Sequence, residues 1–261
     1  MEVVIDASPE RLAEIAAEAV ERVLQRNPRA VLGLATGSSP LLVYRELAAR
    51  CAAGTLSFRE ARAFLLDEYV GLPEEHPERY RRVIERELEQ HVDFAPNAVQ
   101  GPDGTADDLV AACARYEAAI VESGGVDVQL LGVGTDGHIA FNEPGSSLGS
   151  RTRVKTLTAQ TRRDNARFFD GDVEAVPRLV LTQGLRTILD ARHLILLATG
   201  RGKAEAVHQL VEGPVSALWP ATVLQHHPHV TVLVDEAAAS RLQLADYYRE
   251  TWASKPAWQH V

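Results

Sequence analysis

Four apolar runs in this chain, Ala30 to Ala35, Ala61 to Leu66, Val126 to Val133 and His193 to Ala198, each give way at once to glycine, hydroxyl-bearing or charged residues. Continuous apolar runs of this length read as buried strands. Between and beyond them stand segments with apolar residues at helical spacing: Leu41 to Ala53, a stretch introduced by Glu74 to Tyr80 and reaching about His91, Ala106 to Glu122, and a helix after Lys203. Strand then helix, repeated, predicts a parallel, doubly wound α/β sheet. Glu2 to Asp6 and Val230 to Val234 supply further strands. Ser8-Pro-Glu opens a helix to about Gln25, with serine as N-cap and proline at the first helical position. Arg178 to Asp190 is predicted helical, and Val92 to Gly104 reads as a connection rich in proline and glycine.

With 261 residues, 46% hydrophobic and 24% charged, one α/β domain over 1–261 suffices, and no second domain is required. A net charge of -9 argues against nucleic acid or an anionic membrane as partner. An anionic substrate would therefore need a local basic cluster. The N-terminus lacks a basic segment leading into an apolar core, and no apolar run is long enough to span a bilayer, so a soluble cytoplasmic protein is expected. Cys51 and Cys113 stand far apart without ligand spacing and read as reduced thiols.

Polar residues at the carboxyl ends of such strands mark a site. In the run from Leu130 to Pro144, glycines 132, 134 and 137 let the backbone turn or approach a ligand closely, and Asp136, His138 and Glu143 emerge together. An imidazole flanked by carboxylates suits acid–base chemistry, although an isolated Asp-Gly-His is equally a polar turn. Thr36-Gly37-Ser38-Ser39-Pro40 sits before a helix, where backbone N–H groups and the helix dipole attract phosphate; serine capping explains it equally well, and the Walker ending is missing. Asp67-Glu68 closes another strand, a place where paired acids are commonly just solvated. Arg162, Arg163 and Arg167 form a basic stretch whose ordinary fate is surface ion pairing. Lys203 stands near a helix start, where a cation is not favoured unless an anion is bound; Arg201 could share its role. His226 and His227 have no matched third metal ligand and read as packing or capping residues, as do His76 and His91 at the surface.

Read whole, Gly132-Val-Gly-Thr-Asp-Gly-His-Ile-Ala-Phe-Asn-Glu-Pro144 resembles the signature of the glucosamine-6-phosphate deaminases, which convert glucosamine 6-phosphate and water into fructose 6-phosphate and ammonia in amino-sugar catabolism. The related 6-phosphogluconolactonases share Gly-x-Gly-x-Asp-Gly-His but not the continuation Phe141-Asn-Glu-Pro144. Asp67-Glu-Tyr-Val-Gly-Leu72 and Asn165-Ala-Arg-Phe-Phe-Asp170 are similar to further family segments, and the likeness runs from about Val31 to Asp235.

The resemblance implies a three-layer α/β sandwich shared with ribose-5-phosphate isomerases and CoA transferases. It also implies roles. His138, tuned by Asp136 and Glu143, would open the sugar ring, and Asp67 would move a proton between C2 and C1. Phosphate would be held by Thr36, Gly37, Ser38, Ser39, Arg167 and Lys203, under a lid at about 156–176. No metal and no cofactor are implied. Ser146, Ser147, Arg153 and Lys155 match residues that bind the activator N-acetylglucosamine 6-phosphate in allosteric members, and the resemblance implies a homo-oligomer, with a hexamer known in the family alongside smaller states. The tail departs from the family: Asp246-Tyr-Tyr-Arg-Glu250 replaces Lys- or Arg-Tyr-Phe, which puts an aromatic contact used in activation in doubt, and Thr135 and the ending Trp252 to Val261 have no counterpart. The rival readings are a lactonase-like hydrolase or a deaminase of another amino-sugar phosphate, and, in another class, a non-catalytic sugar-phosphate sensor. Phe141-Asn-Glu143 weighs against a lactonase; retention of Asp67 and His138 weighs against the sensor.

Overall fold

The computed structural model describes residues 1–256, 258–259 and 261; positions 257 and 260 of the divergent ending lie outside the described residues. In chain order the elements are β1 (Glu2–Asp6), α1 (Pro9–Arg26), β2 (Val31–Leu34), α2 (Leu41–Ala52), β3 (Arg62–Leu65), β4 (Asp67–Tyr69), α3 (Tyr80–Glu87), β5 (Val99–Gln100) and α4 (Leu109–Glu122). There follow β6 (Val128–Leu131), β7 (Arg153–Thr156), α5 (Ala159–Asn165), β8 (Leu179–Thr182), α6 (Leu185–Leu189), β9 (His193–Ala198), α7 (Ala204–Glu212), β10 (Val230–Asp235) and α8 (Ala245–Ala253).

Seven strands form one parallel sheet in the order β1-β10-β9-β6-β2-β3-β5. Alternate side chains of each strand enter two separate cores. Val31, Phe64, Leu131, Leu194, Leu196, Val230 and Val232 face one, packed under α4, α6 and α7. Leu32, Leu34, Leu65, Leu130, Ile195 and Leu233 face the other, under α1, α2 and α3. This two-sided burial makes the strands mostly apolar, with Gln129 of β6 and Thr231 of β10 as buried exceptions, and gives the three layers the resemblance implied. All six residues of β9, at the middle of the sheet, are buried, each large aliphatic one contributing roughly 1.5–3 kcal/mol. Ser8 caps α1 as expected, its hydroxyl accepting the Arg11 N–H at 3.2 Å.

Three expectations are corrected. Residues 178–190 are not one helix: β8 pairs antiparallel with both β4 and β7, and only Leu185–Leu189 is helical. The β-prone Leu-Val-Leu-Thr run finds partners on both sides, and Gly184, against which the Ser150 backbone packs too closely for any side chain, separates it from the helix. Asp67 to Tyr69, read as the close of the third strand, is a separate strand of this small second sheet. Val99–Gln100 adds an edge strand within the supposed connection. Among the described residues no helix is long and apolar enough to cross a membrane.

Candidate active site

The parallel sheet grows in opposite directions from the β6–β2 pair: β3 and β5 lie beyond β2, while β9, β10 and β1 lie beyond β6. The turns leaving β2 and β6 therefore part from each other and leave a crevice at the strands' carboxyl ends. A cavity of about 700 Å³ occupies it, lined by Thr36, Gly37, Ser38 and Ser39 after β2, Asp67 after β3, His138 after β6, Thr199 and Lys203 after β9, and Arg167 beyond α5. Chain segments as far apart as Thr36 and Lys203, 167 positions, thus converge on one space.

Pro40 precedes α2, and no side chain caps that helix. The Ser38 and Ser39 hydroxyls are thus not used for capping, which leaves the anion-binding reading of this turn. At the far side Lys203 lines the cavity, whereas Arg201 is exposed and does not. Burial, with the Arg167 charge beside it, holds the Lys203 ammonium below its ordinary range, against the opposing pull of Asp164 and Asp136. A pair of cations that Asp164 and Asp136 offset only in part is what a bound dianion would neutralise.

Asp67 is 6% exposed; burial, reinforced by the charge of Glu68, pushes its carboxyl well above the usual carboxylate range. Its neighbour Glu68 does something different. Fully buried, it accepts the N–H groups of Tyr69 at 2.9 Å and of Tyr80 and Arg81 at 3.0 Å, and so anchors the start of α3. Of the Asp67-Glu68 pair only Asp67 reaches the cavity.

His138 lies on the cavity wall with Asp136 and Glu143 behind it. Asp136 Oδ1 stands 2.7 Å from His138 Nδ1 and accepts the His138 backbone N–H at 3.2 Å. Burial raises the Asp136 carboxyl, but its contacts with His138 outweigh this and bring it below its ordinary value. Glu143 is 3% exposed and accepts the Thr161 hydroxyl at 2.6 Å. Two glycines make this packing possible. A Cβ on Gly134 would sit 2.3 Å from the His138 ring, and Gly137, at φ +80°, lies against Trp219. Asp136, His138 and Glu143 each offer a ligand atom within 4.8 Å of the others, a spacing that would also admit a cation.

The four candidate effector residues lie outside this cavity lining. Ser146 is buried with its hydroxyl unpartnered, Ser147 is exposed, and Arg153 and Lys155 lie on β7. Burial lowers the Arg153 guanidinium, which makes no ion pair among the described residues. His227 packs as expected: its Nε2 lies 2.7 Å from the Ala191 carbonyl and its Nδ1 accepts the His229 N–H. His76 is more than a surface residue, since it stacks on Phe169. Residue types alone did not single out Tyr80, Thr161, Asp164 or Thr199, all of which line the cavity. Thr161 and Asp164 sit in a segment where the arginines drew attention, and their inward positions depend on how α5 is laid across the sheet.

The family model described as glucosamine-6-phosphate isomerases/6-phosphogluconolactonase matches residues 5–233. Similar chains include a glucosamine-6-phosphate deaminase of Beutenbergia cavernae, 71% identical over 99% of both chains, and one of Mycolicibacterium smegmatis, 69% identical over the whole of both. A solved monomeric glucosamine-6-phosphate deaminase superposes with a TM-score of 0.90 at 44% identity, covering 92% of this chain and all of its own. The 6-phosphogluconolactonase of Trypanosoma cruzi shares the fold, at a TM-score of 0.75 and 22% identity over 93% of this chain and 97% of its own. With its family motifs gathered at the switch point of the family's sheet, the chain belongs to the glucosamine-6-phosphate isomerase/6-phosphogluconolactonase family.

Proposed function

We propose that this chain converts glucosamine 6-phosphate and water into fructose 6-phosphate and ammonia. The observation that carries the reading is a single cavity with a cationic, hydroxyl-lined end, formed by Thr36 to Ser39, Arg167 and Lys203, and an acid–base wall formed by His138 and Asp67. The first suits the phosphate and the second the sugar carbons. High identity over the whole chain to deaminases supports the same substrate.

Ring opening requires a proton to move from the C1 hydroxyl to the ring oxygen, and His138, with Asp136 at Nδ1, is placed to carry it. Asp67 then takes the proton from C2 and returns it to C1. Its raised carboxyl pKa makes it a stronger base toward carbon once ionised, and the surrounding burial shields the enediol-like intermediate from water. Protonation at C1 leaves an imine at C2; water adds there, ammonia departs, and the ketose remains. Every step is a proton transfer, an addition or an elimination, and C1 is reduced as C2 is oxidised within the same molecule, so the chemistry calls for no redox partner. Asp136 and Glu143 act through His138, holding its tautomer and supporting its charge.

The buried, unpartnered Ser146 hydroxyl and the half-buried Arg153 support an effector site for N-acetylglucosamine 6-phosphate made with Ser147 and Lys155. Exposed Val110 and Val121 on α4 support a homo-oligomer, with the monomeric relative as the contrary precedent. The test of the main reading is to follow ammonia and fructose 6-phosphate together from glucosamine 6-phosphate, with and without the acetylated sugar, beside Asp67→Asn. Equal release of both products, lost in the variant, is expected. Tight binding without turnover would instead indicate a sensor, and lactone hydrolysis without ammonia release a lactonase.

A further inference from the structure

The lid helix α5 does more than deliver cations to the cavity. Its flank holds the carboxylate that stands behind His138. Glu143 is 3% exposed, and the strongest hydrogen bond it accepts is from Thr161 Oγ1 at 2.6 Å, a distance typical of a charge-assisted O–H···O contact. The remaining donors to it come from Thr158 at 3.4–3.5 Å, at the limit of bonding. Thr158 is already committed as the N-cap of α5, accepting the Thr161 N–H at 3.1 Å, and its hydroxyl lies 3.0 Å from that of Thr161. The Thr161 hydroxyl is therefore aimed at Glu143 by the cap itself.

The same short segment carries Asn165, whose amide donates to the Tyr69 hydroxyl at 2.9 Å, and Arg167, which lines the cavity. Arg162 ties the segment's return by donating to the carbonyls of Val173 and Val176. One rigid piece of chain thus touches the phosphate end of the cavity and the carboxylate behind the imidazole. We infer that Thr161 is a positioning residue for the proposed reaction: its hydroxyl, fixed by the Thr158 cap of α5, holds Glu143 in place beside His138. This inference rests on the deaminase reading, since its readout is that turnover.

The test is a double-mutant cycle with Thr161→Val, which keeps shape and removes the hydroxyl, Glu143→Gln and the double variant, with Thr161→Ser as the conservative control. Thr161→Val is expected to lower kcat by at least about tenfold, the loss that follows when a buried charged acceptor is left without its donor, with KM within about twofold. Thr161→Ser restores kcat to within about twofold of the parent, and adding Thr161→Val to Glu143→Gln costs little more. The inference is overturned by Thr161→Val with parental kcat, by a rise in KM alone, by a serine variant as impaired as the valine one, or by losses that multiply independently. A parent without turnover removes the deaminase reading and this inference with it.

Discussion

Gly134→Ala tests whether His138 must stand where it does. Gly134 has an ordinary backbone φ, so alanine is sterically allowed there as far as the main chain is concerned. The obstacle is the imidazole: the added Cβ would lie 2.3 Å from Cε1 and Nδ1 and 2.6 Å from Nε2, where ordinary contact begins at 3.4 Å. The shortfall, 3.4 minus 2.3, is 1.1 Å, and the ring is the part that can move. Moving it by that much breaks the 2.7 Å contact with Asp136 and carries the ring away from the substrate oxygens. A misplacement of about 1 Å costs on the order of 100-fold in rate, or ~2.7 kcal/mol in the barrier. Overpacking costs roughly 1–3 kcal/mol of stability, which leaves a folded protein. The assay is kcat from coupled ammonia release at substrate saturation, with a thermal melt to verify folding. A Gly134→Ala enzyme that is folded and within twofold of parental kcat would refute the reasoning.

Asp67→Asn should lower kcat by roughly 10²–10⁴ and at the same time raise stability at neutral and alkaline pH. The sign follows from the raised folded-state pKa: the fold favours the protonated acid, so stability falls as pH rises from the unfolded value through the folded one. The asparagine variant escapes this loss, and melting curves should separate at pH 8 and converge near pH 4; parallel curves at both would contradict the assignment of the raised acid. Lys203 is displaced downward by burial and by Arg167, so a bound phosphate should raise it again. Binding titrations in two buffers of different ionisation heat should show proton uptake at alkaline pH, absent in Lys203→Met. Exhaustive chelation should leave turnover unchanged, as a proton-transfer mechanism requires; loss of activity restored by a divalent ion would assign a metal to Asp136, His138 and Glu143.

Much of this architecture is legible in the chain because its causes are local. Strands buried on both faces are rich in apolar residues, so β2, β3, β6 and β9 stand out despite Arg62 and Gln129, and a serine followed by proline announces α1. Gly132 to Pro144 could be linked to acid–base chemistry because the residues concerned lie within a few positions of one another. Where the cause is pairing at long range, local reading fails. Leu179 to Thr182 becomes a strand because β4 and β7 flank it, and Asp67 to Tyr69 for the same reason.

Residue types also left two questions open that only the folded chain decided. Serines before a helix are equally caps or anion donors, and the uncapped start of α2 leaves Ser38 and Ser39 to the cavity. Adjacent acids look alike in a sequence, yet Glu68 turns inward to three backbone N–H groups while Asp67 faces the cavity with a raised pKa. The sequence alone determined which groups were available for the chemistry, since composition and short-range pattern are properties of the chain. Which of them meet, which are buried, and which carboxylate the lid's Thr161 holds were decided by the tertiary structure, because charge state and reactivity depend on surroundings drawn from residues far apart along the chain.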